Sequence, residues 1–350
     1  MSRYVTIRVP GGKFSTLFEK RAGWIAAALL LLLIALSVIS IGVGTLQIPP
    51  WRTVQMLAAG PASGEMEANI IWNFRMPRLL LALMAGMALA LSGTVLQAVV
   101  RNPLASPDVI GITSGAAMMA VLYLAIFNVT TSIQWLPLFA FAGALGVAAF
   151  IYLAAWKHGV SPMRMILIGL GVTALLEAFK TLFLVFSPIF VTSQAKIWIT
   201  GTVYGANWTG VQFFAPWLLG LIPVLAVLAR RLNIQVLGNE LPVLLGGRIQ
   251  LQRFALIGTA AALAGAAVAF VGGVGFIGLM APHLSRRLVG GAHGLLLICS
   301  ALVGGILLVA ADLAGRTLFA PRDIPAGVFT AAIGAPFFLY TLIKVKKRRS

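Results

Sequence analysis

Residues 22–44 carry no charged side chain. A run of about 20 mostly apolar residues is what one helical crossing of a bilayer requires. The stretch is too long and too cleanly apolar for a signal-peptide core, and no small-residue cleavage site follows it, so it reads as a retained first span. Uncharged or nearly uncharged runs recur at 79–100, 110–127, 135–156, 165–185, 211–229, 254–271, 295–311 and 327–343, which makes nine. Only 10% of the chain is charged, far below the roughly 25% of soluble proteins. The solvent this chain expects is lipid.

The net charge of +18 does not point to nucleic acid, because the basic residues form no stripe with interleaved aromatics. They lie in loops and tails. Arg3, Arg8, Lys13, Lys20 and Arg21 precede the first span, and Lys344, Lys346, Lys347, Arg348 and Arg349 follow the last. Basic flanks mark the cytoplasmic side, so both tails, 1–21 and 344–350, are expected inside and the number of spans must be even. A tenth span therefore hides in the glycine-rich, proline-interrupted stretch 273–289. Arg101, Lys157, Arg164, the basic residues of 230–253, Arg286 and Arg287 then also fall inside, 19 of 26 with the tails. Tryptophans 24, 51, 72, 135, 156, 198 and 208 sit near span ends, as headgroup anchors do.

The expected fold is thus an all-α membrane protein of about ten transmembrane helices, one domain over 1–350. Cys299 stands alone, and His158, His283 and His293 lack ligand spacing, so no cofactor or metal site is expected in the chain. No G-x-x-x-x-G-K-[ST] loop occurs, so ATP hydrolysis is not expected of it. No segment outside the spans is long enough for a motor or receptor domain. Small residues on one span, Gly258, Ala261, Ala262, Gly265 and Ala266, suggest close helix packing.

Two segments break the helical pattern about half a chain apart: 101–115, with Pro103 and Pro107, and 272–291, with Pro282. Paired interruptions of this kind point to a transport pathway built on an internal repeat, and the alternative is two ordinary linking turns. Seven basic residues break the inside rule: Arg52, Arg75, Arg78, Lys180, Lys196, Arg316 and Arg322. Arg75, Arg78 and Arg316 sit at external span ends, where they either offer carboxylate-binding forks to a docking protein or bind lipid headgroups. Glu177 with Lys180, and Asp312 with Arg316, are spaced for mutual neutralisation. Residues 233–252 are too apolar for a free cytoplasmic loop and suit a short helix that meets a cytosolic partner or lies on the membrane.

The ordered motifs resemble those of one family, the permeases of vitamin B12 and iron-siderophore ABC importers. They are Arg75-Met-Pro-Arg78; Leu91-Ser-Gly93 through Gln97 to Arg101-Asn-Pro-Leu-Ala-Ser-Pro-Asp-Val-Ile-Gly111 with Ser114-Gly115-Ala116; Gly275-Phe-Ile-Gly-Leu with Pro282-His283 and Arg286; Ala311-Asp312; and Pro325-Ala-Gly327 to Gly334-Ala-Pro336. The resemblance implies a type II importer permease, two of which, identical or paralogous, surround one pathway. It also implies two cytosolic ATPases that bind ATP, a periplasmic binding protein and a ferric-siderophore or related chelate cargo, all at the bacterial cytoplasmic membrane. By the same resemblance Arg75, Arg78 and Arg316 dock the binding protein, and Asn102 and Leu104 form a cytoplasmic gate with Pro162 and Met163 as a second layer. Leu237, Gly238, Glu240, Gly246 and Gly247 lie in a segment similar to the helices that seat in the ATPases. Asp323 replaces the family's usual Glu, and Asn239 and Pro242 make the coupling segment atypical. The Asn-Pro-Leu-Ala-Ser-Pro-Asp run and Trp198-Ile-Thr-Gly201 are more similar to siderophore members than to cobalamin ones.

Two other classes compete. An ion-driven secondary transporter would need a titrating intramembrane acid, and Glu177 and Asp312 each have a basic neighbour. An intramembrane enzyme would need a nucleophile with its base, or a metal set, within the spans.

Overall fold

A computed structural model describes residues 4–8, 15–61, 64–127, 132–157, 159–235 and 249–347. An antiparallel hairpin comes first, β1 (Tyr4–Arg8) and β2 (Ser15–Glu19), with Tyr4 paired to Glu19 and Arg8 to Ser15. The hairpin falls in the segment expected as a plain N-terminal tail. Twelve described helices follow. They are α1 (Lys20–Gly42), α2 (Pro50–Ala59), α3 (Met66–Val100), α4 (Ile112–Ile126), α5 (Leu136–Ala154), α6 (Pro162–Phe186), α7 (Ile189–Thr200), α8 (Trp208–Gln235), α9 (Ile249–Val271), α10 (Ile277–Val289), α11 (His293–Thr317) and α12 (Ala326–Lys347).

Seven of these, α1, α3, α5, α6, α8, α9 and α11, are long and apolar enough to cross a bilayer, and α4 and α12 are shorter apolar helices. The tenth expected span is α10, only 13 residues long, interrupted by Pro282 and closing on Arg286 and Arg287. At 1.5 Å per residue α10 rises about 20 Å, short of a full crossing. The two shortest membrane helices, α4 and α10, both start at a broken segment. Each begins on a left-handed residue, Gly111 at φ 83° and Phe276 at φ 67°. The irregular backbone before each helix occupies part of the depth that a full helix would fill, which is why hydropathy alone passes over α10.

Helix α3 is the centre of the bundle. Nineteen residues between Met76 and Val100 are buried. Lipid tails are as apolar as leucine, so helices associate here through close packing rather than the hydrophobic effect. A Cβ built on Gly93 would lie 1.8 Å from the Gly278 carbonyl oxygen, and one on Gly86 2.3 Å from that of Gly304, so α3 meets α10 and α11 backbone to backbone. Gly115 and Gly143 join α4 to α5 in the same way, at 2.6 and 2.4 Å from each other's carbonyl oxygens. On α9 the expected small-residue face is used in part: Gly265 sits against Ala144, while Gly258 borders open space. Ser92 Oγ donates to the Ala260 carbonyl at 2.7 Å, tying α3 to α9.

The flank is different. Helix α6 buries only Met165 and Gly169, and the turn after it exposes Phe186 at 81% and Ile189 at 90%. Along this flank lies a large apolar surface.

Candidate functional site

At its N-terminal end, α3 widens into a π-turn over Ile71–Arg75 just before Pro77. A π-turn shifts the register of the residues beyond it, and such turns are frequent at functional sites. Arg75 leaves this turn toward the end of α1. Its Nη1 donates to the carbonyls of Ile41 at 2.5 Å and Gly42 at 2.9 Å, and its Nη2 donates to that of Leu46. Arg316, at the end of α11, reaches the same helix end: Nη1 donates to the Val43 carbonyl at 2.6 Å, and Nη2 to the Ser40 carbonyl and, at 2.8 Å, to Ser40 Oγ. The last carbonyls of a helix lack intrahelical donors and carry its negative dipole end, so two guanidiniums satisfy them by bonding and by charge.

Arg78 is held by carboxylates. Its Nε lies 3.0 and 3.1 Å from the two Asp312 oxygens, and Nη2 lies 2.8 Å from Asp312 Oδ1. Nη1 and Nη2 donate to Asp323 at 2.6 and 2.9 Å. Sequence spacing pairs Asp312 with Arg316, but that contact is the looser one at 3.7 Å. Asp312 is 4% exposed in its side chain and Arg78 17%, so this is a largely buried ion triad. The Arg78 guanidinium also lies 6.0 Å from the ring centre of Tyr204. An open cavity of about 580 Å³ at this end of the bundle is lined by Arg75, Arg78, Arg316, Tyr204 and Asp323, among others. Arg52 stands apart, paired with Glu65 and, at 2.7 Å, with Glu67, whose bond raises the guanidinium's pKa above its ordinary value.

Deeper in, the two broken segments touch. Asp108, partly buried, accepts a hydrogen bond from Thr113 Oγ1 at 2.8 Å and another from the backbone N–H of Phe276. A Cβ on Gly278 would lie 2.9 Å from Pro107 Cδ. Carboxylate, proline and glycine thus seat the first broken segment on the start of α10. Phe276 then packs against α12, where a Cβ on Gly334 would lie 2.3 Å from its ring. A residue such as Phe is held at positive φ only where its surroundings dictate it.

The first broken segment turns at Asn102, whose Oδ1 accepts from the Leu104 N–H at 2.9 Å. This is the local closure that asparagine favours in turns. The segment's far end lies on α6: a Cβ on Gly169 would be 3.3 Å from Ile110. Pro162 opens that same helix, and Met163 beside it is 65% exposed. Asn102, Leu104, Pro162 and Met163 therefore belong to two elements in direct contact. Leu237, Gly238, Glu240, Gly246 and Gly247 lie outside the described residues.

Other readings resolve singly. Lys180 bonds Glu177 on α6. His293 Nδ1 lies 2.8 Å from Asn233 Oδ1, and the His283 ring stands edge-on to Phe337. Trp24, Trp51, Trp135 and Trp156 are exposed as anchors are, but Trp72 and Trp208 have internal work. Trp208 Nε1 donates to the Trp72 carbonyl at 2.8 Å and Trp72 Nε1 to that of Met56 at 3.3 Å, joining the N-terminal ends of α8 and α3 to α2. Sequence reading did not foresee Asp108 as the link between the broken segments or Asp323 as a partner of Arg78; each was visible only as a charge beside a proline-broken or span-ending segment and as a position within the family's motifs.

Comparison with known proteins agrees with this geometry. The model of the FecCD transport family matches residues 31–344. The chain is 46% identical over 336 residues to the "Probable siderophore transport system permease protein YfhA" of Bacillus subtilis, covering 95% of this chain and 97% of that one. It is 46% identical to the achromobactin transport system permease protein CbrC of Dickeya dadantii, over 95% of each. A solved structure described as an inward-facing conformation of a metal-chelate type ABC transporter superposes with a TM-score of 0.81 at 32% identity, over 92% of this chain and 99% of that one. A central helix pinned by glycines, a joined pair of broken segments and an arginine-rich end are therefore the features of a multi-pass permease that belongs to the FecCD transport family.

Proposed function

We propose that the chain is the permease subunit of an ATP-driven importer that carries ferric siderophores or related metal chelates across the bacterial cytoplasmic membrane. The observation that carries this reading is the end-to-end similarity to permeases named for siderophore and achromobactin transport. Both termini are cytoplasmic in this reading. Two separate ATPase chains supply the energy, a second permease, identical or related, completes the pathway, and a periplasmic binding protein delivers the intact chelate. The subunit performs no chemistry of its own and carries no cofactor; iron crosses as cargo inside its chelator.

Arg75, Arg78 and Arg316 supply the docking face for the binding protein. Set against Asp312 and Asp323, three guanidiniums leave one net positive charge at the mouth of the outer cavity, and an acidic partner is steered by such a field. Asn102 and Leu104, with Pro162 and Met163, form the cytoplasmic gate. Leu237, Gly238, Glu240, Gly246 and Gly247 belong to the segment that meets the ATPase.

The test is reconstitution. Vesicles containing the permease and its ATPase should accumulate radiolabelled ferric siderophore only when loaded binding protein is outside and ATP inside, and a protonophore should leave uptake unchanged. Uptake abolished by the protonophore with ATP present, or uptake without the ATPase, would falsify the proposal in favour of an ion-driven transporter.

A further inference from the structure

Helix α6 carries one carboxylate and one ammonium well inside its length. Glu177 stands about 22 Å along the helix from Pro162 and about 13 Å short of Phe186, at 1.5 Å per residue. Lys180 Nζ bonds its carboxylate from the next turn. The Lys180 side chain is nearly covered, 12% exposed, but that of Glu177 is 48% exposed. An Asp, Lys or Arg at the centre of a membrane helix costs about 2.5–3.5 kcal/mol on insertion scales, and such groups face a bundle interior or a water-filled cavity instead of lipid. The open side of Glu177 therefore belongs to a polar medium.

The two broken segments show what that medium is. One turn before Glu177, α6 meets the end of the first segment: a Cβ on Gly111 would lie 2.9 Å from Thr173 Oγ1. Beyond α6, the end of α7 meets the start of the second: a Cβ on Gly272 would lie 2.0 Å from the Trp198 carbonyl oxygen. The α6–α7 pair is thus held at two points, one on each broken segment, and Glu177 lies between those points in the chain. Irregular backbone at membrane depth is either buried in protein or lines a water-filled path. An uncovered charge one turn from such backbone favours the path.

We propose that Glu177 lies on the wall of the passage and is a specificity-determining residue there: by holding the Lys180 ammonium, it hides a cation that anionic cargo would otherwise bind. The inference rests on the proposed function, and it adds the charge of the chelate as the property this site reads. Attraction between ions grows as water is excluded, so a bare ammonium on the wall would hold a carboxylate-bearing chelate part-way across. With Glu177 in place the wall presents a neutral pair, and the chelate moves on.

Location is tested by labelling. In the assembled complex Glu177→Cys should react with a charged, membrane-impermeant maleimide, while Cys299 is buried and adds little background. No reaction overturns the proposal. Reaction in the free subunit but not in the complex overturns it too, and places the residue in a seam between permeases.

The charge reading is tested by the ratio of two uptake rates in vesicles, that of anionic ferric citrate to that of ferrichrome, an uncharged ferric trihydroxamate. Glu177→Gln should lower this ratio by about tenfold, the scale of one bond to a charged donor, and Lys180→Gln in the same chain should restore it. A merely structural pair would lower both rates in step with the amount of assembled complex, and an unchanged ratio overturns the proposal. If the complex carries ferric citrate alone, loss in Glu177→Gln with recovery in the double variant supports the proposal, and loss in both overturns it. If it carries ferrichrome alone, a tenfold loss in Glu177→Gln overturns it. A wild-type complex that takes up no ferric chelate removes the proposed function, while the maleimide result still decides where Glu177 lies.

Discussion

The two ends of this subunit both gather arginines, but they satisfy them differently. At one end Arg78 is gripped by Asp312 and Asp323, while Arg75 and Arg316 bond the carbonyl end of α1. At the other, Arg101 and Arg253 bond amide and backbone oxygens of Gln235 and Val160. The first cluster combines ion pairing with helix capping, so its members depend strongly on one another. The bonds of the second reach neutral acceptors, which are weaker partners and easier to exchange.

Variants can break this contrast. The largest effect should come from Arg78→Ala, which strands a nearly buried Asp312; removing one member of a buried pair costs about 3–5 kcal/mol. Thermal unfolding of the purified subunit should show it, and Asp312→Asn in the same background should recover part of the loss. No recovery would mean that Asp312 is not the group left unpaired.

Arg253→Met should cost less, about 1.5–3 kcal/mol for hydrogen bonds made by a charged donor. A loss as large as that of Arg78→Ala in the same assay would erase the distinction between the two ends. For docking, Arg75→Glu should weaken binding of the loaded binding protein by roughly tenfold at low salt, with a smaller effect at high salt. Titration of that protein onto the reconstituted permease measures it, and unchanged affinity removes Arg75 from the docking face. The reversal of Arg78 is a poorer probe, because it would set three carboxylates together and disturb folding and docking at once. Smallest of all, Arg52→Ala should leave both unfolding temperature and uptake unaltered, since its pairs with Glu65 and Glu67 are exposed.

Much of this was legible in the sequence. Charge parity called for a tenth span where hydropathy shows none, and a 13-residue helix, α10, lies there, short of a full crossing. The two broken segments were visible as proline and glycine clusters, and Asp108 with Phe276 brings them together. Arg75, Arg78 and Arg316 stood out by defying the inside rule. Their partners did not, for a physical reason. The carbonyls of Ser40, Ile41, Gly42 and Val43 are backbone atoms that any sequence would supply, so nothing in the residue types announces them as acceptors. Asp312 was paired with its helical neighbour Arg316 because spacing is the only local clue, whereas its closer partner, Arg78, is 234 positions away. Glycine contacts were hidden likewise. The run on α9 was conspicuous by repetition, yet the tightest approaches, Gly93 to Gly278 and Gly86 to Gly304, join single glycines from distant parts of the chain.

The glycine seams of α3 have a consequence for motion. At Gly86 and Gly93 the main chains of three helices already touch, and no side chain stands between them to act as a bearing. Neither sliding nor rolling comes easily to α3 against α10 or α11, so the three should behave as a fixed post, and the lightly embedded α6 should be the more mobile element. Spin-label distances between α3 and α11 should accordingly hold constant through an ATP cycle while those from α3 to α6 change, and a variable α3–α11 distance would take the post away.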